Sequence, residues 1–402
     1  MTQQLFPDTQ STLEVDLPDD LMIDGFGPVV DKVLEDPCSA TSEALATPLG
    51  FPPLGQSIVP GDRIAIALSA EVPCGAGMVA GVVTALENGE VLESSDIQLV
   101  YAGTPQEFQQ LQLQLAELLP AGQLEQLRQV IHQPDDSNEL AYLAASHDAS
   151  AIYLNRELCD ADVVIPISSM KLDGQVGYVG IHDGLFPAFT DTETQKRFQV
   201  PANHQANQLS RDASEAAWLL GIQLIVVAIP GPADTILQVL AGLDSVVAEE
   251  AELVGRASWS RPLRQAEMVI ATIEGDQRQQ SWGNLARAIQ AARQLVEDDG
   301  TLVICSTLAC AADSALARLT EWNPGEDLQA QLQQESGPDA MAAIQLALAR
   351  EQAHVYLLSQ LDQELVESLG IAHLSDGEEI SRLGRQCQHC IFLPNAHRTV
   401  IQ

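Results

Sequence analysis

The sequence predicts an α/β protein of two domains with largely parallel sheets. Three observations support this fold class: a length of 402 residues, a hydrophobic content of 46%, and short apolar runs that alternate with amphipathic segments. A chain of this length can build two hydrophobic cores. Alternation of strands and helices is typical of parallel sheets, whose strands need crossover connections. We therefore expect two units, each with its own sheet.

The alternation begins after residue 60. Arg63–Leu68 is a short apolar run after Pro60-Gly-Asp62, which is typical of a buried strand. A helix is predicted at Gly77–Leu86, because Asn88-Gly89 provides a stop signal. The later elements predicted in this part of the chain are strand Ile97–Tyr101, helix Gln106–Leu119, and strands Ala151–Leu154, Asp162–Ile167 and Gln223–Ile229.

A domain boundary is predicted near residues 258–265, around Ser260-Arg-Pro262. Beyond it the alternation restarts, which places the domains at residues 46–260 and 265–402. Residues 1–45 are acidic and rich in proline, so we expect an extended lead-in that wraps the first domain. The elements predicted in the second domain are strand Met268–Ile273, helix Asn284–Glu297, strand Thr301–Ser306, helices Ala312–Leu319 and Asp339–Arg350, and strand His354–Leu358.

The formal net charge of −37 limits the partners of the chain. A field of this sign repels phosphate backbones and anionic lipids, so we expect neither a nucleic-acid nor a membrane partner. It also repels small carboxylates, unless a local cluster of arginines overrides it. A small-molecule ligand remains possible. An acidic surface of this kind is typical of adaptation to a saline medium.

Three features of the sequence favour a cytoplasmic location. No apolar run approaches the roughly 18–20 residues that span a bilayer. The first residues, Met1–Asp8, lack the basic and apolar regions of a secretory signal. Seven cysteines are an odd number in a long chain, which fits a reducing compartment better than a disulfide framework.

Residues 168–187 carry the most informative motif. They read SSMKLDGQVGYVGIHDGLFP, with the frame G-Y-x-G at Gly177–Gly180, a proline at Pro187, and Asn203-His204 downstream. This frame resembles the core of the nickel-pincer lactate racemase family. Further segments resemble that family in the same order, over roughly residues 45–375: Thr47–Leu54, Asn155–Ile165, Arg287–Thr301 and His354–Ser359.

The resemblance implies two α/β domains with an interdomain cleft, and an isomerase that racemises or epimerises small 2-hydroxy acids. In the family, a lysine six residues after the first glycine of the frame carries the covalent nickel-pincer cofactor. Asp183 stands there in this chain, and the nearest lysines, Lys171 and Lys196, fall outside the anchor position. A carboxylate cannot form the thioamide that a lysine amine forms. We therefore expect neither the nickel-pincer nucleotide nor lactate racemase activity.

Other positions that the resemblance assigns to catalysis are also substituted. The family's Asp-x-Thr-Arg-Pro element aligns with Ser69-Ala-Glu-Val-Pro73, which lacks the arginine that would hold a carboxylate bidentately. We therefore expect weak binding of a bare carboxylate such as lactate. One acid/base histidine aligns with Gly103-Thr-Pro105 and the other with Asp173. A carboxyl group is a poor substitute for a histidine base near neutral pH.

Some implied contacts are retained. The nickel-ligating histidine aligns with His204, and two polar positions of the C-terminal domain align with Asn284 and Arg287. Because the family fold would bring His182, Asp183 and His204 toward one cleft, they could form a rebuilt site for a divalent metal. Otherwise His182 is an ordinary loop residue and His204 a hydrogen-bonding residue at the start of a helix.

The C-terminal segment offers a second, weaker metal motif. Cys387-Gln-His-Cys390, with His397 nearby, resembles half of a metal site. A structural zinc site usually pairs two such halves, and the sequence has no second C-x-x-C; otherwise the segment is an edge turn with reduced thiols.

Two classes of function remain open. The first is an enzyme of the racemase type with rebuilt ligands, and the second is a non-catalytic binding or regulatory protein that keeps the two-domain cleft.

Overall fold

Two six-stranded sheets organise the computed structural model, which describes residues 2–8, 11–30, 32–92, 95–145, 151–199, 206–321, 328–332, 335 and 337–402. The strands, in chain order, are β1 (Thr2–Asp8), β2 (Ser11–Asp16), β3 (Met22–Ile23), β4 (Arg63–Ser69), β5 (Asp96–Ala102), β6 (Leu127–Ile131), β7 (Leu140–Ala145), β8 (Ala151–Asn155), β9 (Val163–Ser169), β10 (Ile225–Pro230), β11 (Ile236–Gly242), β12 (Ser260–Arg261), β13 (Ala266–Thr272), β14 (Val296–Cys305), β15 (His354–Leu358), β16 (Ala372–Leu374), β17 (Cys390–Leu393) and β18 (Val400–Ile401).

Helices connect most of these strands, as parallel pairing requires. They are α1 (Pro37–Ala46), α2 (Leu54–Ser57), α3 (Gly75–Asn88), α4 (Pro105–Leu118), α5 (Ala121–Gln126), α6 (Arg156–Cys159), α7 (Thr192–Phe198), α8 (Ala206–Leu219), α9 (Asp244–Trp259), α10 (Trp282–Arg293), α11 (Ser314–Glu321), α12 (Leu328–Leu332), α13 (Ala340–Gln352), α14 (Gln363–Ser368) and α15 (Gly377–Gly384), with 3₁₀ turns at Asp19–Leu21 and Ala396–Arg398.

The first sheet has the order β11-β10-β9-β4-β5-β6. All neighbours are parallel except β10 and β11, which pair antiparallel. On β4, Ile64, Ile66 and Leu68 point to the core face that α3 covers. The small side chains of Ala65 and Ala67 point to the opposite face, where Leu185, Phe186 and Phe189 pack. Apolar side chains on both faces are expected for a parallel strand covered on both sides.

The second sheet has the order β16-β15-β14-β13-β17-β3, and all of its neighbours are parallel. Its edge strand, Met22–Ile23, comes from the N-terminal segment and pairs with Cys390–Ile391. Val15 and Leu17 are buried against the same sheet. The expectation that the lead-in wraps the first domain is therefore wrong for this part of it, because its apolar residues cover the second sheet.

The lead-in is also not extended throughout. Residues 37–46 form α1. The helix begins at Pro37, and the carboxylate of the preceding residue, Asp36, caps it by accepting a hydrogen bond from the backbone N–H of Ser39. This helix packs closely on α3 at Gly81. The division at 46–260 and 265–402 remains a prediction, while the class of two largely parallel α/β sheets is confirmed.

Two further elements differ from their predictions. Ala151–Asn155 forms a strand, but it pairs antiparallel with β7 outside the main sheets. Its exposed residues, such as Tyr153, alternate with buried ones, which suits a strand with one solvated face. Helix α10 ends at Arg293 rather than at Glu297, because Val296 already pairs with Ala266 in the sheet. No helix among the described residues is long and apolar enough to cross a membrane.

The close contact at Gly81 gives a test of the fold. A Cβ atom on Gly81 would lie 2.5 Å from the carbonyl oxygen of Cys38, so Gly81→Ala should force α1 away from α3. We expect a loss of about 1–3 kcal/mol in the free energy of unfolding. The control is Gly122→Ala in α5, where a Cβ atom meets nothing within 4 Å. Chemical denaturation of both variants checks the prediction, and equal stabilities would contradict the packing of α1.

Candidate functional site

The carboxyl ends of strands from both sheets face one cleft. Glu71 follows β4 and Lys171 follows β9, whereas Arg278 follows β13 and Arg398 follows β17; all four line a cavity of about 50 Å³. In parallel α/β proteins, ligands bind beyond the carboxyl ends of the strands, because the connecting loops and helix N-termini converge there. The cleft is therefore the candidate functional site.

Local backbone geometry brings Lys171 next to Asp183. The N–H of Lys171 donates to the carbonyl of Gly180 at 3.0 Å, and the N–H of Gly180 donates back at 2.7 Å. This bridge folds the glycine frame onto the end of β9. Gly180 has a φ of +116°, and a Cβ atom there would lie 2.9 Å from the hydroxyl of Tyr178, so the turn requires glycine. The Tyr178 hydroxyl also accepts a hydrogen bond from the N–H of His182 at 2.7 Å.

The ammonium group of Lys171 lies between two carboxylates. Its Nζ is 2.5 Å from Oε2 of Glu71 and forms a second ion pair with Asp183. Glu71 reaches it because β4 and β9 are parallel neighbours, so the residues after both strands emerge side by side. The exposed fractions are 15% for the Lys171 side chain, 12% for Asp183 and 64% for Glu71. The Lys171–Asp183 pair is thus largely buried, and the more exposed Glu71 contacts Lys171 from the solvent side.

The ion pairs set the charge of this group. Burial opposes the charge of Lys171, but Asp183 and Glu71 outweigh it and raise the pKa of the ammonium. Lys171 lowers the pKa of Glu71 to about 2, against the smaller opposing effect of desolvation. Burial raises the pKa of Asp183, and Lys171 limits that rise. Lys171 is therefore a protonated counter-ion and not a free amine nucleophile at neutral pH.

This geometry adds one fact about Lys171 that the sequence did not show. In sequence Lys171 lies outside the anchor position of the family, but in the structure its ammonium contacts the carboxylate at that position. The surroundings of residue 183 do not fit the nickel-pincer nucleotide. The side chain there is an acid, and the neighbouring amine is held as a charged ion-pair partner.

The other predicted catalytic and metal residues are dispersed. The Nε2 atom of His182 lies 3.9 Å from Asp244, whereas Asp183 turns to Lys171. The Asp173 side chain is 76% exposed, next to Arg256 on the surface. His204 lies outside the described residues. Within the described residues, no group of three His, Cys, Asp or Glu side chains is arranged to hold a metal.

The two predicted ligand-binding residues lie together on the cavity wall. Arg287 donates from Nη1 to Oδ1 of Asn284 at 2.9 Å, and Asn284 donates to the carbonyl of Gln279 at 2.9 Å. Both belong to the first turns of α10, which begins where the Ser281 hydroxyl accepts a hydrogen bond from the N–H of Asn284. The helix start therefore directs both side chains toward the cleft.

Sequence reasoning missed Arg278 and Arg398 of the cleft, and it considered His397 only as part of the C-terminal metal motif. Arg278 lies 2.6 Å from its ion-pair partner Asp276, and Arg398 donates from Nε to Nε2 of His397 at 3.1 Å. The loss of an arginine at Pro73 therefore does not leave the cleft without guanidinium groups. A local arginine cluster is the condition under which an acidic chain can still attract a small anion.

The comparisons with known proteins agree with this architecture. Residues 9–216 match the model of the lactate racemase N-terminal domain. The chain belongs to the lactate racemase family. This confirms the family suggested by the glycine frame.

Two solved structures share the fold of this family member. The lactate racemase apoprotein from Thermoanaerobacterium thermosaccharolyticum superimposes with a TM-score of 0.79, 15% sequence identity and coverage of 100% of both chains. A protein from Thermotoga maritima has a TM-score of 0.67 and 10% identity, over 92% of this chain and 100% of its own. Identities this low show a common fold alone. The chain matches no curated protein sequence.

Removal of Lys171 tests the buried ion pair. Lys171→Met leaves the carboxylate of Asp183 buried without a cation, so we expect it to cost about 3–5 kcal/mol of stability. The double variant Lys171→Met/Asp183→Asn should recover much of this loss, because a neutral amide needs no counter-charge. Lys32→Met, which removes a pair whose side chains are 75% and 81% exposed, is the control and should cost at most about 1 kcal/mol. A double variant no more stable than Lys171→Met would contradict the pairing.

The low pKa of Glu71 predicts a pH dependence. The folded-state pKa of about 2 lies below the ordinary value of 4.5, so the stabilisation by Glu71 is complete above pH 4.5 and disappears as the pH falls toward 2. The stability difference between wild type and Glu71→Gln should follow this window. Because the side chain is 64% exposed, the difference should be modest. The same substitution in a Lys171→Met background should show a weaker dependence, because only Arg287 then lowers the pKa of Glu71. A stability difference that grows on acidification would contradict the interpretation.

Proposed function

We propose that this member of the lactate racemase family does not catalyse nickel-pincer lactate racemisation, and that its cleft serves as a binding site for a small molecule. One observation carries the proposal: the residue at the cofactor-anchoring position is Asp183, and its carboxylate is already paired with Lys171. A covalent link at this position needs an uncharged amine. The nearest amine is protonated and held by two carboxylates.

The acid/base positions support the same conclusion. Inversion at a carbon needs a base on one face of the substrate and an acid on the other. Of the two family positions, Pro105 is the first residue of helix α4, and Asp173 is exposed to solvent beside Arg256. Neither lines the cavity.

We further propose, from composition, a cytoplasmic location with no nucleic-acid or membrane partner.

Intact-mass spectrometry tests the proposal. The protein is produced with nickel in a host that makes the pincer cofactor, and a lactate racemase from the same host serves as the positive control. We expect the mass of the unmodified chain for this protein and a cofactor adduct for the control. Peptide mapping should find Lys171, Asp183 and Lys196 unmodified.

An activity assay on the same preparation gives a second readout. We expect no D-lactate from L-lactate beyond the level of a blank without protein. An adduct on any residue, or nickel-dependent formation of D-lactate by the purified protein, would contradict the proposed function.

A further inference from the structure

Among the described residues, no carboxylate is in direct contact with the buried cation of Arg398. The residue is 8% exposed, and its Nη1 atom is buried with no hydrogen-bond partner. Asp234 and Glu274 act on it only at longer range. The oxygens of Asp234 accept hydrogen bonds from the N–H of Asp276 and the side chain of Gln279, and those of Glu274 from Asn395 and Thr272. A buried guanidinium with an unused N–H group is costly unless something else accepts from it.

His397 presents a second unused donor to the same cavity. Its Nε2 accepts the hydrogen bond from Arg398, which places the proton of the neutral ring on Nδ1. That Nδ1 is buried and has no acceptor. Burial, Arg398 and Arg287 hold the pKa of the imidazole well below its usual range, so the ring stays neutral at physiological pH. The imidazole therefore offers an N–H donor and not a charge.

Arg287 presents a third donor. Its Nη1 is bonded to Asn284, but its Nε is buried without a partner. The guanidinium acts electrostatically on Glu71, Lys171 and His397, so it lies between the ion-paired group and the C-terminal segment. No carboxylate among the described residues forms an ion pair with it.

We propose that Arg287, His397 and Arg398 form a binding site for a small oxyanion. All three residues line one cavity, and each carries a buried N–H group that has no hydrogen-bond partner among the described residues, so an oxyanion would supply the acceptor that these groups lack. The other cations at the cavity already have carboxylate partners. Glu71 and Asp183 pair with Lys171, and Arg278 pairs with Asp276.

The cavity limits what the anion can be. Its volume of about 50 Å³ has room for roughly three to five water-sized positions, which suits a phosphate ion or the carboxylate of a short acid. Met170, Leu172 and Trp259 form an apolar part of the wall, against which a short hydrocarbon chain can pack. Phosphate and carboxylates are both oxyanions. Titration with each distinguishes a site for the tetrahedral phosphate from a site for a planar carboxylate.

Calorimetric titration of the full-length protein with sodium phosphate, acetate and lactate, at constant ionic strength, tests this inference. Acetamide serves as an uncharged probe. We expect saturable binding of phosphate or of the carboxylates, and none of acetamide. Arg287→Gln and His397→Gln should each weaken binding at least tenfold, and Arg287→Lys, which keeps the charge, should weaken it less. Arg256→Gln is the matched control, because Arg256 pairs with Glu252 and does not line the cavity. This variant should bind the anion as wild type does.

The melting temperature of each variant shows that lost binding is not lost folding. Binding of phosphate alone would identify a tetrahedral anion, and binding of acetate or lactate alone a carboxylate; both support the site. No binding of any anion, or binding that survives both Arg287→Gln and His397→Gln, would overturn it. The inference deepens the proposed function, but the two fail separately. An unmodified chain that binds no anion refutes only the oxyanion site, whereas a covalent adduct refutes the proposed function whatever the titration shows.

Discussion

The ion pair between Lys171 and Asp183 is the interaction on which the cleft depends. Two buried charges are stable only if each is matched, and here the match is made by residues from two separate segments that the Lys171–Gly180 backbone bridge brings together. Glu71 adds a second carboxylate from the neighbouring strand. Among the described residues, Arg287 and Arg398 are the cations of the cavity that form no direct ion pair with a carboxylate.

The chain keeps the family fold while a different residue, Asp183, stands at the anchoring position. The parallel sheets need apolar side chains at periodic positions, and many sequences satisfy that requirement at 15% identity. The anchoring position tolerates less variation, because covalent attachment of the cofactor depends on the functional group of this one side chain. The overall charge of −37 also contrasts with the arginines of the cleft. A local cluster of cations in an acidic protein can concentrate a small anion at one place.

Sequence patterns predicted the central strands well, because β4, β5 and β9 are buried on both faces and therefore read as short apolar runs. They did not predict that Met22–Ile23 completes the second sheet, since two residues carry no periodicity and pair with a strand near the other end of the chain.

The same limit applied to the site. Asn284 and Arg287 were identified because they align with polar positions in the C-terminal domain of the family. Lys171 was missed because its contact with Asp183 arises from a backbone bridge rather than from spacing. Arg278 and Arg398 were missed because they meet only through the pairing of β13 with β17.

Nitrogen-15 NMR of the lysine side chains tests the central claim most directly, because the chain contains only three lysines, Lys32, Lys171 and Lys196. The Lys171 signal is assigned by its loss in Lys171→Met and followed as the pH rises. The account predicts that Lys171 stays protonated beyond the ordinary lysine pKa of 10.5, because Asp183 and Glu71 hold its charge. A Lys171 amine that loses its proton below that value would show that the ammonium is not held between the two carboxylates, and would contradict the account.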